Sequence, residues 1–120
     1  PYVASSEKIL ARVYAYRNAR SRACIIYNDD TPIGMVLYHD EPEFNAYIFS
    51  ELFIDARYQG KGFGREATRI VLDAMRADGR YSKAVLCYLE GNEAARRLYE
   101  SFGFVETDRD EDGSIMELAL

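Results

Sequence analysis

Three glycines at alternate positions, Gly60, Gly62 and Gly64, lie between an apolar run and an amphipathic segment. Glycine is unfavourable inside strands and helices, so three at one junction indicate that the bare backbone is needed there. Residues 57–69 contain four basic side chains and one acid, a local charge of +3 in a chain of net charge −5. Together these features predict that backbone N–H groups meet an anion at this junction.

Two familiar phosphate-binding motifs do not fit the glycines. A Walker loop needs G-x-x-x-x-G-K-[ST], but here Lys61 is followed by Gly62. The dinucleotide fingerprint G-x-G-x-x-G would need a glycine where Arg65 stands. What remains is a strand, a tight turn and the first turn of a helix, where unpaired amides and the positive end of the helix dipole converge. A flexible turn followed by a solvated helix face is the alternative interpretation.

Hydrophobic periodicity predicts the elements that would position this junction. In chain order they are a helix over residues 5–17 capped by Ser5 or Ser6, strands over 23–27, 32–39 and 46–55, a helix over 64–77, a strand over 83–89, a helix over 92–102, and a closing hairpin built from 104–108 and 114–120. This order predicts an α/β or α+β fold in which helices cover a sheet.

Composition limits the class of protein. A chain of 120 residues, 48% hydrophobic and 29% charged, is typical of one soluble globular domain. No apolar run approaches the roughly 20 residues of a membrane span, and the first residues given do not show a signal-peptide pattern. The negative net charge argues against a nucleic-acid partner. Cys24 and Cys87 lack metal-ligand spacing, so we expect a reduced cytoplasmic protein without a metal.

The junction also resembles a known family. Gln59-x-x-Gly62-x-Gly64 is similar to the Q/R-x-x-G-x-G/A signature of the GNAT superfamily of acyl-CoA N-acetyltransferases, and "ELFID" before it and "GNEAARRLYESFGF" after the next strand extend the resemblance along nearly the whole chain. The bacterial spermine/spermidine (diamine) acetyltransferases look most similar. The resemblance implies a mixed, mostly antiparallel, splayed central sheet flanked by helices. The usual first strand and helix would be lacking, so residues 1–120 would form a single, N-terminally incomplete GNAT domain.

The resemblance further implies acetyl-CoA as co-substrate, with a bulged strand splaying from its neighbour to admit the pantetheine arm. Amides of residues 59–65 would hold the pyrophosphate. The residues assigned to the coenzyme are Phe53, Ile54, Gln59, Gly60, Lys61, Gly62, Phe63, Gly64, Arg65, Asn92 and Tyr99. Helix geometry agrees for the last two, since positions seven apart are rotated by only about 20°. Tyr99 is expected at the margin of a core stripe formed by Ala94, Ala95, Leu98 and Phe102, where its ring can be buried while its hydroxyl faces a cleft.

Acetylation of an amine requires two proton transfers. In the family a tyrosine usually protonates the departing thiolate, which assigns Tyr99 as the acid. Glu51 is the best-placed carboxylate to deprotonate the amine, and strand alternation should place it among Phe49 and Phe53, away from water. We expect direct transfer, with Cys87 packed in the core, and His39 structural or exposed.

The acceptor is less specified. Tyr14, Tyr16, Tyr38 and Tyr47, with the acidic segment 40–43, could line a pocket for an aliphatic polycation or could be core-edge tyrosines. Polyamines are the favoured acceptors. A peptide N-terminus, an amino acid, an aminoglycoside or a non-catalytic acyl-CoA-binding module stay open, as does a homodimer.

Overall fold

One mixed sheet with two helices forms the described part of the chain. The computed structural model describes residues 2–4, 9–15, 21–89, 91–109, 111 and 113–120. The elements are β1 (Tyr2–Ala4), β2 (Ile9–Ala15), β3 (Ser21–Asn28), β4 (Thr31–Glu41), β5 (Ala46–Ile54), α1 (Phe63–Asp78), β6 (Lys83–Leu89), α2 (Glu93–Ser101), β7 (Val105–Arg109) and β8 (Gly113–Ala119). The strand order is β1-β2-β3-β4-β5-β6-β8-β7. The mixed, mostly antiparallel sheet flanked by helices is therefore confirmed.

The helix expected near the N-terminus is wrong. Ile9–Ala15 forms β2, which pairs antiparallel with β3 from Ile9↔Asn28 to Ala15↔Arg22. Residues 9, 10 and 13 fit a helical period, but 9, 11, 13 and 15 also alternate, and pairing with β3 satisfies the backbone. The proposed caps Ser5 and Ser6 lie outside the described residues.

The central strands part from one another halfway along their length. Strands β5 and β6 are the parallel pair, and their register runs only from Ala46↔Lys83 to Phe49↔Leu86. Beyond those residues both strands continue without each other. On its other edge β5 pairs with β4, and there the register jumps so that Ser50 has no partner. The bulge and the splay predicted from the resemblance are therefore both confirmed.

The core lies on the face of the sheet that the two helices cover. A large cluster joins α1, α2 and the central strands, and a smaller one joins α1 to β3 and β4 near the glycine junction. Cys87 is not part of either cluster: it is exposed, so the prediction that it packs in the core is wrong. Leu86 faces the core, and strand alternation turns the next side chain to the opposite face. Neither described helix is long and apolar enough to span a membrane.

A buried carboxylate ties the sheet to the end of α1. Asp40 is 3% exposed and accepts a hydrogen bond from Arg22 Nη1 at 3.0 Å, and Arg80 Nη2 lies 2.9 Å from its second oxygen. Arg80 also donates from Nε to Asp78 at 2.9 Å, and the Tyr47 hydroxyl donates to the same Asp78 oxygen. The network therefore connects β3 and β4 with the loop that follows α1.

We expect Asp40→Asn to destabilise the fold by about 3 kcal/mol, because it leaves the half-buried Arg22 without its anionic partner. Urea unfolding measures this change. The exposed Glu43→Gln is the matched control, since it removes a nearby carboxylate outside the network. Equal unfolding midpoints for Asp40→Asn and the wild type would contradict this role.

Candidate active site

The glycine junction is a short loop anchored at its first half. Asp55 accepts a hydrogen bond from the backbone N–H of Arg57 at 2.9 Å and so begins a 3₁₀ turn, Ala56–Tyr58. Gln59 Nε2 then donates to the carbonyl of Ile54 at 2.8 Å, which fixes the loop to the end of β5. Gly60 and Gly62 follow with φ of 75° and 85°, a region that side chains disfavour.

The second half of the loop presents a row of unpaired amides. Helix α1 begins after Gly62, which has no side chain to cap it, and its first bond runs from Glu66 N to Gly62 O at 3.1 Å. Within the described part of the chain, no group accepts a hydrogen bond from the six amides between Gly60 and Arg65. The helix dipole adds positive charge at the same place, so the loop is built to receive an anion.

The basic residues around the loop divide into two pairs. Arg57 is bound to Asp55, whose pKa this hydrogen bond lowers, and Arg69 is bound to Glu66 and Asp73. Arg65 and Arg69 lie one helical turn apart with like charge, and the two carboxylates bound to Arg69 within α1 offset their repulsion. Lys61 and Arg65 have no carboxylate partner among the described residues. These two exposed cations are available to an anion at the loop.

A cavity of about 340 Å³ opens beside the loop, between the splayed end of β5 and α2. It is lined by Leu52, Ile54, Tyr58, Gln59, Gly60, Gly64, Asn92, Ala94, Ala95, Leu98 and Tyr99. Six of the predicted coenzyme residues are therefore brought together around one space. Four other predicted coenzyme residues of the loop and the first turn of α1 do not line the cavity: Lys61, Gly62, Phe63 and Arg65. The apolar Leu52 and Tyr58 and three residues of α2 were missed by sequence reasoning, which assigned those of α2 to the core.

Helix α2 and its N-cap supply two polar side chains, Asn92 and Tyr99, to the side of the cavity opposite β5. Asn92 is its N-cap and accepts a hydrogen bond from Ala95 N at 3.1 Å, so its side chain is held at the cavity. Tyr99 packs edge-on against Phe49 and Phe104, with ring centroids 6.1 and 5.7 Å apart. Burial raises the pKa of its hydroxyl above the ordinary value.

Tyr99 is placed as its position beside the core stripe of α2 predicts, because its ring is buried and the residue also lines the cavity. It is buried in the core, while Ala95 and Leu98 are only half-buried and line the cavity. The reason is that the chain turns back after α2, where Phe104 N donates to the carbonyl of Tyr99 at 3.2 Å, and this turn covers the ring with Phe104.

Glu51 and Phe53 lie on the opposite face of the sheet from the helices. Both are exposed, and Phe53 does not line the cavity. The bulge at Ser50 interrupts the alternation of β5, so Phe49 and Leu52 point toward the helices and Glu51 points away. The expectation that Glu51 shares an apolar, desolvated face with Phe49 is therefore wrong.

Gly34 is a position of close strand packing beside the site that sequence reasoning missed. A Cβ atom there would lie 2.2 Å from the carbonyl oxygen of Phe53, so only glycine lets β4 approach the end of β5 this closely. Asp55 N donates to the carbonyl of Ile33 at 2.7 Å beside it. These contacts hold the end of β5 against β4 and away from β6. A glycine inside a β-rich run was the available signal.

The tyrosines considered for an acceptor pocket do not form one in the described part of the chain. Tyr38 and Tyr47 are buried in the core on the helix side, and Asp40 is committed to Arg22 and Arg80. The side chain of Tyr14 and all of Tyr16 lie outside the described residues.

Comparison with known proteins agrees with this geometry. The profile of the acetyltransferase (GNAT) family matches residues 2–104. The spermine/spermidine N(1)-acetyltransferase of Bacillus subtilis is 31% identical over 85 residues, which are 66% of this chain and 56% of that protein. The chain thus spans little more than half the length of the curated relative it matches.

Solved structures share the fold. A GNAT family acetyltransferase from Elizabethkingia anophelis with acetyl-CoA bound superposes with a TM-score of 0.84 at 13% identity, covering 96% of this chain and all of that one. The spermidine N-acetyltransferase of Vibrio cholerae, in a dodecameric structure, gives 0.76 at 24% identity, covering 85% of this chain and 66% of that chain. At these identities the likeness concerns the fold alone.

The row of amides predicts a specific effect of Gly62→Ala. A side chain at φ 85° costs about 1 kcal/mol and turns the neighbouring amides, so we expect coenzyme A to bind at least tenfold more weakly by calorimetry. Gly79→Ala is the matched control, because Gly79 has φ 69° at the other end of α1. It should lose similar stability and keep its affinity. Equal affinity losses in both variants would contradict a local role for the loop.

Proposed function

The chain belongs to the GNAT family of acetyltransferases, and on that basis we propose that it transfers acetyl from acetyl-CoA to a small primary amine, with polyamines favoured. The observation that carries the proposal is the row of six unpaired amides at the start of α1, beside a cavity that follows the splayed end of β5. A diphosphate with an extended arm fits this combination. The amides would bind the negatively charged diphosphate, and the largely apolar cavity would take the arm.

The residues present fit the donor. Of the amides at residues 59–65, that of Gln59 donates to the carbonyl of Ala56, and the other six bind the diphosphate with Lys61 and Arg65 as flanking cations. Asn92 and Tyr99 close the cavity from α2. The backbone of Phe53 and Ile54 pairs with the pantetheine arm along the edge that β5 leaves free. Acetyl-CoA supplies the activated acetyl group, and the protein binds and orients it.

Tyr99 supplies the proton for the departing thiolate. A thiol has a pKa near 8.5, so protonating the sulfur makes it a better leaving group near neutral pH. The raised pKa of Tyr99 keeps its phenol protonated until it donates. No described residue forms a hydrogen bond with this hydroxyl, which supports its use by a ligand at the cavity.

Transfer proceeds directly from thioester to amine. Cys24 is buried, and burial raises the pKa of its thiol to about 11, so it is a poor nucleophile. Cys87 lies opposite Ile115 on β8, where no described side chain is hydrogen-bonded to its sulfur as a base. Both cysteines are free, which supports a cytoplasmic location.

The acceptor is proposed to be an aliphatic polyamine. The relative from Bacillus subtilis and the structure from Vibrio cholerae are both named for spermidine, and this chain has a net charge of −5. Glu51 and Glu41 stand on the sheet face opposite the helices, and Glu51 adjoins the bulge. Carboxylates there attract a polycation toward the split between β5 and β6. Glu51 is a candidate base for the amine, and a homodimer stays a prediction.

Thiol release from acetyl-CoA tests the proposal. We expect the chain to release coenzyme A with spermidine or spermine faster than with an amino acid, a peptide N-terminus or an aminoglycoside. Preference for one of those amines would replace the acceptor and keep the reaction. Coenzyme A binding without thiol release across the panel would instead identify a non-catalytic acyl-CoA-binding module.

Tyr99→Phe should lower kcat by one to three orders of magnitude and leave coenzyme affinity close to the wild type. The variant removes only the hydroxyl, and the ring keeps its contacts with Phe49 and Phe104. Steady-state kinetics and calorimetry measure the two effects. Unchanged turnover would remove Tyr99 from the chemistry.

A further inference from the structure

The only histidine of the chain lies beside the split between β5 and β6. His39 is on β4 in register with Ile48, on the sheet face opposite the helices, and is partly exposed. Its Nδ1 is 3.0 Å from Oγ of Ser50. Ser50 is the bulged residue of β5, directly after Phe49, the last residue of β5 that pairs with β6. The imidazole therefore contacts the point at which the sheet opens.

A carboxylate completes the row on the other side of the ring. His39 Nε2 is 3.9 Å from an oxygen of Glu41, two residues along the same strand. Glu41, His39 and Ser50 thus form a line of polar groups that runs along β4 and crosses to the bulge of β5 at the split. The partial exposure of His39 agrees with the expectation that it is structural or exposed, and its contact with Ser50 adds a polar partner at the bulge.

We propose that Ser50 and His39 form a proton relay that deprotonates the acceptor amine, an inference that rests on the proposed acetyl transfer. The ammonium group hydrogen-bonds to Ser50 Oγ and gives it a proton, while the Ser50 hydroxyl proton passes to His39 Nδ1. One N–H bond of the amine and the O–H bond of Ser50 break, and a new O–H and a new N–H bond form. The neutral amine then attacks the thioester carbon, and His39 later loses the proton to solvent.

Histidine suits this task because it is the side chain that exchanges protons near neutral pH. A primary amine with a pKa near 10.4 is neutral only about once in a few thousand molecules at pH 7, so a local acceptor accelerates the reaction. Glu41 stabilises the imidazolium that forms, since the carboxylate lies on its far nitrogen.

The other groups around His39 leave the relay available. On β5, Glu51 is exposed and lies on the same face as His39. On β6, Lys83 forms an ion pair with Glu117 of β8 at 3.2 Å. On β3, the register partner of His39 is the neutral Ser21. Glu41 and Glu51 are thus the described carboxylates of this face that border the relay, and Glu51 is the rival base.

The test compares pH profiles of kcat/KM for thiol release in the wild type, His39→Asn, Ser50→Ala and Glu51→Gln. His39→Asn keeps a polar partner for Ser50 but does not titrate. We expect His39→Asn and Ser50→Ala to lower kcat/KM by 10- to 1000-fold at pH 7, with unchanged coenzyme affinity. The deficit should shrink as the pH approaches 10, because the amine then loses its proton to water.

Any other result would contradict either the relay or the proposed acetyl transfer. A deficit that is constant with pH, or no deficit, would contradict the relay while leaving the acetyl transfer intact. A pH-dependent deficit in Glu51→Gln alone would assign the base to Glu51. A wild type that releases no thiol with any amine would contradict the proposed function and the relay together.

Discussion

The structure depends on a helix that starts without a cap. Helix α1 begins at Phe63 behind a glycine, and no group in the described chain accepts a hydrogen bond from the six amides of Gly60 to Arg65. Unpaired amides are costly unless water or a ligand meets them, and the loop keeps them at the surface. A diphosphate would satisfy several at once and would also interact with the helix dipole and with Lys61 and Arg65, which have no carboxylate partner among the described residues. In acetyl-CoA the diphosphate is joined to the pantetheine arm and its acetyl group, and the acetyl-transfer proposal follows from that connection.

The sheet determines the path that an arm attached to the diphosphate would follow. Strand β5 leaves β6 after Phe49, bulges at Ser50, and is held against β4 by the close approach that Gly34 permits. The free edge of β5 therefore leads from the loop to the split in the sheet. Tyr99 reaches the split from the helix side and His39 from the other side. An acid for the thiolate and an acceptor for the amine proton would then act from opposite faces of one opening.

Local patterns predicted most of this architecture, and long-range pairing decided the rest. The glycine loop, both helices beside it and the strands around them followed from periodicity and turn residues. The segment 9–15 satisfies helical and strand periods alike, and only its pairing with β3 selects the strand. The direction of Glu51 was wrong because a one-residue bulge reverses the alternation of the residues that follow it. Two contacts could not be predicted from local patterns. Phe104 covers Tyr99 because the chain reverses after α2, and His39 meets Ser50 because β4 and β5 pair side by side.

The most direct test of the central claim is a titration of the ¹⁵N-labelled chain followed by amide NMR, with coenzyme A and with pantetheine, which lacks the diphosphate. If the amides at the start of α1 hold the diphosphate, the resonances of Gly60 to Arg65 shift strongly with coenzyme A and stay in place with pantetheine. Resonances from these residues that remain unmoved while coenzyme A shifts other parts of the chain would contradict the account.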